Sequence, residues 1–486
     1  MSRATTMSAA HMKGIRRCTI LAGVAASVLL AAATARAEIY LDVEADPMPL
    51  IEITVVVPAG FESTQAEEAG AATLMGDILD AGTKPLSRQA FLDRLASFGA
   101  SHGLSVSNLY SVWTLSFPIV DGKDYSALAS LLADNWRSPR LTDETFRIAK
   151  RKLEASLKGG LDSDMSLGAS TSRRWINRNE LGGHPITLDS LAKLERKTVA
   201  AVWERDFVAA KELWAGVVAP STSRELVKSI LSSVFTAQGA IVEGAEPRPL
   251  AMREVSSANL RPDRVFLILD KPGRTQTITS VISVSPRRHT VREELAADFG
   301  RHVLVDSGLG SIFGEEIRTK RGLAYSVMGV HPQFLGYPSL GIATNPVRPR
   351  SDEALGVIAG LLDSAYVRAS LIDELPTETW TRQWRSFIYG KQLDRSSPEG
   401  RIGERMSVAV GALHPKLYAD DISDWRTDRL AVATTLRDTW ARSVVVGAVV
   451  GEAKELEPLV RKHFPQHEVI VIPYADSIRD KAYVRK

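Results

Sequence analysis

Two side chains seven positions apart, Arg318 and Tyr325, could do the most chemistry in this sequence. A guanidinium and a phenol are both hydrogen-bond donors, and if they reach one point they can hold a peptide carbonyl or steady the negative charge that grows on its oxygen. No other constellation competes with them. His463 and His467 have the separation of two ligands on one helix face, but Pro465 between them opposes the helix that would align the rings. His102, His184, His289, His302, His331 and His414 are scattered singly. There is no Gly-x-Ser-x-Gly elbow, P-loop or dinucleotide fingerprint, and Gly308-Leu309-Gly310 reads as a turn before a helix.

The elements that must position the pair can be read locally. From Ser311 to Lys320, apolar Ile312, Phe313 and Ile317 fall on one helical face, and cations gather at the C-terminal end, where they suit the helix dipole. Gly322 follows. Glycine enters the left-handed conformation cheaply, so with apolar Leu323 next to it the pattern predicts a Schellman-type stop. Leu323 to Val327 then reads as a strand with Leu323, Tyr325 and Val327 on one face. In the plainest alternative, Arg318 pairs with Glu315 on a wet surface and Tyr325 fills a core.

The string E-I-R-T-K-R-G-L-A-Y-S-V, residues 316–327, resembles the C-terminal-domain signature of the pitrilysin family, which includes insulysin and the mitochondrial processing peptidase. The resemblance implies that Arg318 and Tyr325 bind substrate beside a zinc ion. It also implies a catalytic motif, H-x-x-E-H, on an early helix, with a glutamate ligand about 77 residues after the second histidine; two histidines four apart share a helix face, and the glutamate between them activates a metal-bound water. Here the matching stretch is Thr73-Leu74-Met75-Gly76-Asp77, aligned by Gly82-Thr83. Thr73 and Asp77 stand at the histidine positions, Gly76 at the base position, and Glu154 falls 77 residues after Asp77, at the third-ligand position. The motif is therefore degenerate. Asp77 and Glu154 offer at most a weak hard-cation site, so no metal or cofactor is expected in this chain.

What the resemblance implies is a non-catalytic subunit of a two-chain zinc peptidase. Zinc would sit in a homologous partner chain, as in a heterodimer, and Arg318 and Tyr325 would serve peptide substrates that bind extended along a sheet edge. The rival expectation is a peptidase-like scaffold or peptide-binding protein with no part in hydrolysis.

Residues 1–37 read as a secretory signal: Lys13, Arg16 and Arg17, an apolar run from Cys18 to Ala33, and the small-x-small site Ala35-Arg36-Ala37. Without the five cations of that segment, the 60 Lys and Arg fall to 55 against 57 Asp and Glu, a net charge of about −2. A basic patch for nucleic acid is therefore not expected, nor a stable membrane anchor once the signal is cleaved. The single cysteine, Cys18, would leave with the signal, so the remainder has no disulfide framework and is compatible with a periplasmic or secreted setting.

About 450 residues exceed what one core usually supports. A strand pair (Ile39–Glu44 and Leu50–Val57), helices at Ala66–Leu79 and Ser87–Phe98, strands at Ala100–Ser107 and Ser111–Pro118, and helices at Tyr125–Asp134 and Thr142–Leu157 give the order β-β-α-α-β-β-α-α. A similar order recurs from Val265, offset by roughly 226 residues. The expected fold is α+β, with two homologous domains (38–250 and 251–486). Each would be a mixed or antiparallel sheet with helices on one face, and the two would face each other across a cleft.

Overall fold

A computed structural model describes residues 38–484 except 62–64, 179–183, 236–239, 252–262, 331–337 and 420. The signal-like segment 1–37, His331 and residues 252–262, just past the expected domain boundary, lie outside the described residues.

The chain forms two six-stranded sheets. The first contains β1 (Glu38–Ala45), β2 (Leu50–Val57), β3 (Ser101–Val106), β4 (Ser111–Pro118), β5 (Glu212–Ala219) and β6 (Ala240–Glu243) in the order β3-β4-β2-β5-β1-β6. The second contains β7 (Arg264–Asp270), β8 (Ile278–Val284), β9 (Ala324–Gly329), β10 (Ser339–Pro346), β11 (Val444–Gly451) and β12 (Glu468–Pro473) in the order β9-β10-β8-β11-β7-β12. Position for position the two orders are the same. Strand directions also agree: β1 runs parallel to β5 as β7 does to β11, and β2 runs antiparallel to β5 as β8 does to β11. The duplicated α+β architecture is thus present in topology as well as in element order.

Two details depart from the sequence reading. β1 and β2 are not a hairpin pair, because β5 lies between them. β5 is not among the expected strands: its ELWAGVVA is buried at seven of eight positions and so lacks the alternation that marks a half-exposed strand. Moreover, helices cover both faces of each sheet. In chain order the first five α-helices of the first half are α1 (Ala71–Leu79), α2 (Arg88–Ser97), α3 (Ser126–Arg137), α4 (Asp143–Gly159) and α5 (Asp164–Asn177). α5 crosses over and packs on β8 and β11 of the second sheet. In return, α6 (Pro398–Ala409), from the second half, packs on β1 and β5 of the first.

The exchange explains why β8 and β11 are buried at every residue. Leu167, Trp175 and Ile176 of α5 join Ile278, Ile282, Val446 and Val450 in one apolar cluster, and Ile402 and Ala409 of α6 join Tyr40, Val56 and Trp214 in another. Gly216 of β5 makes the second approach possible, since a Cβ there would stand 2.6 Å from Ile402 Cγ2. Ion pairs flank both helices. Asp164 meets Lys271 at 2.7 Å and Arg274 at 2.6 Å, while Arg401 and Arg405 meet Glu44 at 2.9 and 3.1 Å. Among the described residues no helix is long and apolar enough to cross a membrane.

Candidate substrate-binding site

Ser311 caps the helix that carries Arg318: its hydroxyl accepts the Gly314 N–H at 3.1 Å. The helix starts as a short α-helical turn (Ile312–Gly314) and continues as a π-helix, Glu315–Thr319, in which the Lys320 N–H reaches the Glu315 carbonyl five residues back. Phe313 and Ile317 are buried, as the apolar pattern predicts. Gly322 ends the helix with φ +56°, and Leu323 N–H closes on the Ile317 carbonyl at 2.9 Å. The glycine stop is therefore where the sequence puts it, in a wider form than a regular Schellman turn.

The cations of this segment are unequally engaged. Lys320 and Arg321 both bind Glu316. Arg318 does not take the alternative surface pairing with Glu315: among the described residues its side chain makes no ion pair or hydrogen bond, and its Cζ lies 4.5 Å from the centre of the Tyr325 ring. The helix end and the first residues of β9 thus bring the two expected binding residues together. Tyr325 is 78% exposed, and does not fill a core.

That exposure breaks the alternation read from the sequence, in which Tyr325 shares a face with buried Leu323. The cause is a β-bulge. On β9 and β10, Val327 faces Thr344 and Ala324 faces Pro346, so Tyr325 and Ser326 together stand opposite the single residue Asn345. Asn345 is not among the candidate residues read from the sequence. Asn-Pro inside a strand pattern, at 345–346, is the signal that could have found it.

In the first half, the four positions aligned with a zinc site do not form one. Asp77 Oδ1 is bound by Lys152 Nζ of α4 at 2.7 Å. Glu154, also on α4, is bound by Lys158 at 2.6 Å, a hydrogen bond that holds its carboxyl below the usual range. Thr73 Oγ1 is buried without a hydrogen-bond partner among the described residues. Gly76 sits where α1 touches β3, and a Cβ there would stand 2.9 Å from the Leu104 carbonyl oxygen. A threonine hydroxyl and two carboxylates already neutralised by lysines are a poor donor set for zinc, and no cluster of three His, Cys, Asp or Glu side chains occurs among the described residues. His463 and His467 do not pair either: His463 ends a helix and bonds Asp352 at 2.6 Å, whereas His467 lies against Phe464.

No family model and no curated protein sequence matches the chain. Solved structures do match. The peptidase M16 inactive domain from Pseudomonas fluorescens superposes with a TM-score of 0.68 at 14% identity, over 85% of this chain and 95% of that one. A protease from Helicobacter pylori gives 0.65 at 15% identity, over 84% and 97% of the two chains. The chain has the M16 peptidase fold. The periplasmic protease PqqL from Escherichia coli also matches, with a TM-score of 0.62 at 13% identity, and this chain spans 43% of its length. The M16 fold is the one implied by the pitrilysin-like signature. Within it, Arg318 and Tyr325 lie where the second sheet's edge strand meets the helix before it.

Proposed function

We propose that this chain is the non-catalytic, substrate-binding subunit of a two-chain zinc peptidase, paired with a homologous chain that carries the metal. The observation that carries the reading is the Arg318–Tyr325 pair: an exposed ring beneath a guanidinium that has no carboxylate partner among the described residues. A side chain kept only for architecture has no need to stay unpaired beside an exposed tyrosine. The occupied state of Asp77 and Glu154 supports placing hydrolysis on the partner.

In this arrangement, a peptide lies extended along the edge of the second sheet. Arg318 and Tyr325 donate to the scissile carbonyl oxygen, orienting it for attack and offsetting the charge that develops there. The partner's zinc would supply the activated water. The signal-like residues 1–37 and the cysteine-free remainder support a periplasmic or secreted setting.

The test is reconstitution. The chain is purified alone and together with a homologous H-x-x-E-H chain, zinc is quantified in each, and cleavage of unfolded peptides is followed with Arg318→Ala and Tyr325→Phe versions. Zinc and activity are expected only with the partner present, and activity should fall in both variants. Undiminished cleavage by the altered complexes would leave the rival reading, a peptidase-like scaffold.

A further inference from the structure

We infer that Asn345 and Thr344 are positioning residues for Tyr325: their side chains hold the bulge that turns its ring out of the sheet and under Arg318. The inference rests on the substrate-binding role proposed above and adds two residues to it.

A bulge leaves the extra residue without ladder partners. Here Tyr325 and Ser326 are both left without a paired position, and Pro346, next along β10, has no N–H to offer. Side chains of β10 bind both backbone groups of Ser326. Its N–H donates to Asn345 Oδ1 at 3.1 Å, and its carbonyl accepts from Thr344 Oγ1 at 2.8 Å. Thr344 is 1% exposed, so its hydroxyl is committed to this bond. The neighbouring residue swung out by the distortion is Tyr325.

The fold itself does not demand the bulge, and the chain contains its own control. β3 holds the same place in the first sheet that β9 holds in the second. It pairs with β4 in unbroken register from Ser101 opposite Ser116 to Val106 opposite Ser111. The irregularity therefore belongs to the half that carries Tyr325. A regular β9 would put residue 325 back into two-residue alternation with buried Leu323, taking the ring away from solvent.

The test uses the full chain with Asn345→Leu, which keeps size and removes the acceptor, and Asn345→Asp, which keeps an acceptor. Thr344→Val and Thr344→Ser form a second pair should the first variant fold poorly. Amide exchange at Ser326 is measured on the chain alone, and kcat and KM for an unfolded peptide on the complex with the zinc-bearing partner. Asn345→Leu is expected to speed Ser326 exchange about tenfold or more and to lower kcat about tenfold with KM changed less than about threefold, and Asn345→Asp to restore most of both. Wild-type Ser326 exchange together with wild-type cleavage in Asn345→Leu and Thr344→Val would overturn the inference. Wild-type cleavage by Tyr325→Phe would overturn its functional half, while faster exchange in Asn345→Leu would still uphold the hold on the bulge.

Discussion

Lys152 of α4 reaches across to α1 and binds Asp77 at 2.7 Å, so a lysine ammonium neutralises the carboxylate aligned with a metal-ligand position. The pair is partly solvated, with 57% of the Lys152 side chain and 32% of that of Asp77 exposed. Replacing Lys152 with Gln is expected to cost less than about 1 kcal/mol in urea unfolding and to create no zinc affinity in a metal titration.

Gly76 argues that the base position is closed sterically as well as chemically. Because a Cβ there would press on the Leu104 carbonyl at 2.9 Å, Gly76→Glu must part α1 from β3. A net loss of about 1–3 kcal/mol is expected despite the better helix propensity. An unchanged unfolding midpoint would show that the helix can move away freely.

Arg318 and Tyr325 should separate function from stability. Tyr325 is exposed, so Tyr325→Phe and Arg318→Ala are each expected to change unfolding free energy by no more than about 0.5 kcal/mol. In the reconstituted complex, kcat/KM should fall on the order of a hundredfold for each. A loss of activity that tracked a loss of folded protein would count against the assignment.

Asp164 joins the halves. Its carboxylate meets Lys271 and Arg274, and its own side chain and that of Lys271 are only 10% and 11% exposed. Asp164→Ala takes the carboxylate from the buried Lys271 ammonium and leaves it the Leu161 carbonyl, for which a loss of about 3 kcal/mol is expected in equilibrium unfolding.

The pH dependence has two opposed parts. Burial pushes His102, His289 and His467 down to about 4 from 6.5, so between those values the unfolded chain binds more protons and stability drops on acidification. Burial pushes Glu294 up to about 7 from 4.5, against the His414 N–H and the cations Arg301 and Lys391 and with the help of Asp298. Across 4.5–7 the folded chain therefore keeps a proton that the unfolded chain gives up, and stability drops as pH rises. Glu294→Gln retains the acceptor for His414 N–H, 2.8 Å away. It should match the natural chain at pH 4 and exceed it at pH 8 by up to about 3 kcal/mol, read from unfolding curves at each pH.

Local order was legible in the sequence because it depends on neighbours in the chain. The glycine stop at Gly322, the apolar face with Phe313 and Ile317, and the strands β2 and β4 all follow from short-range pattern. The loss of a histidine-bearing motif at Thr73, Gly76 and Asp77 is likewise written in residue types alone. Other features required distant segments to meet. β5 is buried on both faces because α6 arrives from nearly two hundred residues away, which erases the alternation that would have announced it. Tyr325 is outside rather than inside because Asn345 and Thr344, on another strand, satisfy the backbone that the bulge displaces. Spacing determined which side chains could act together; long-range hydrogen bonding and cross-docked helices decided which way they point.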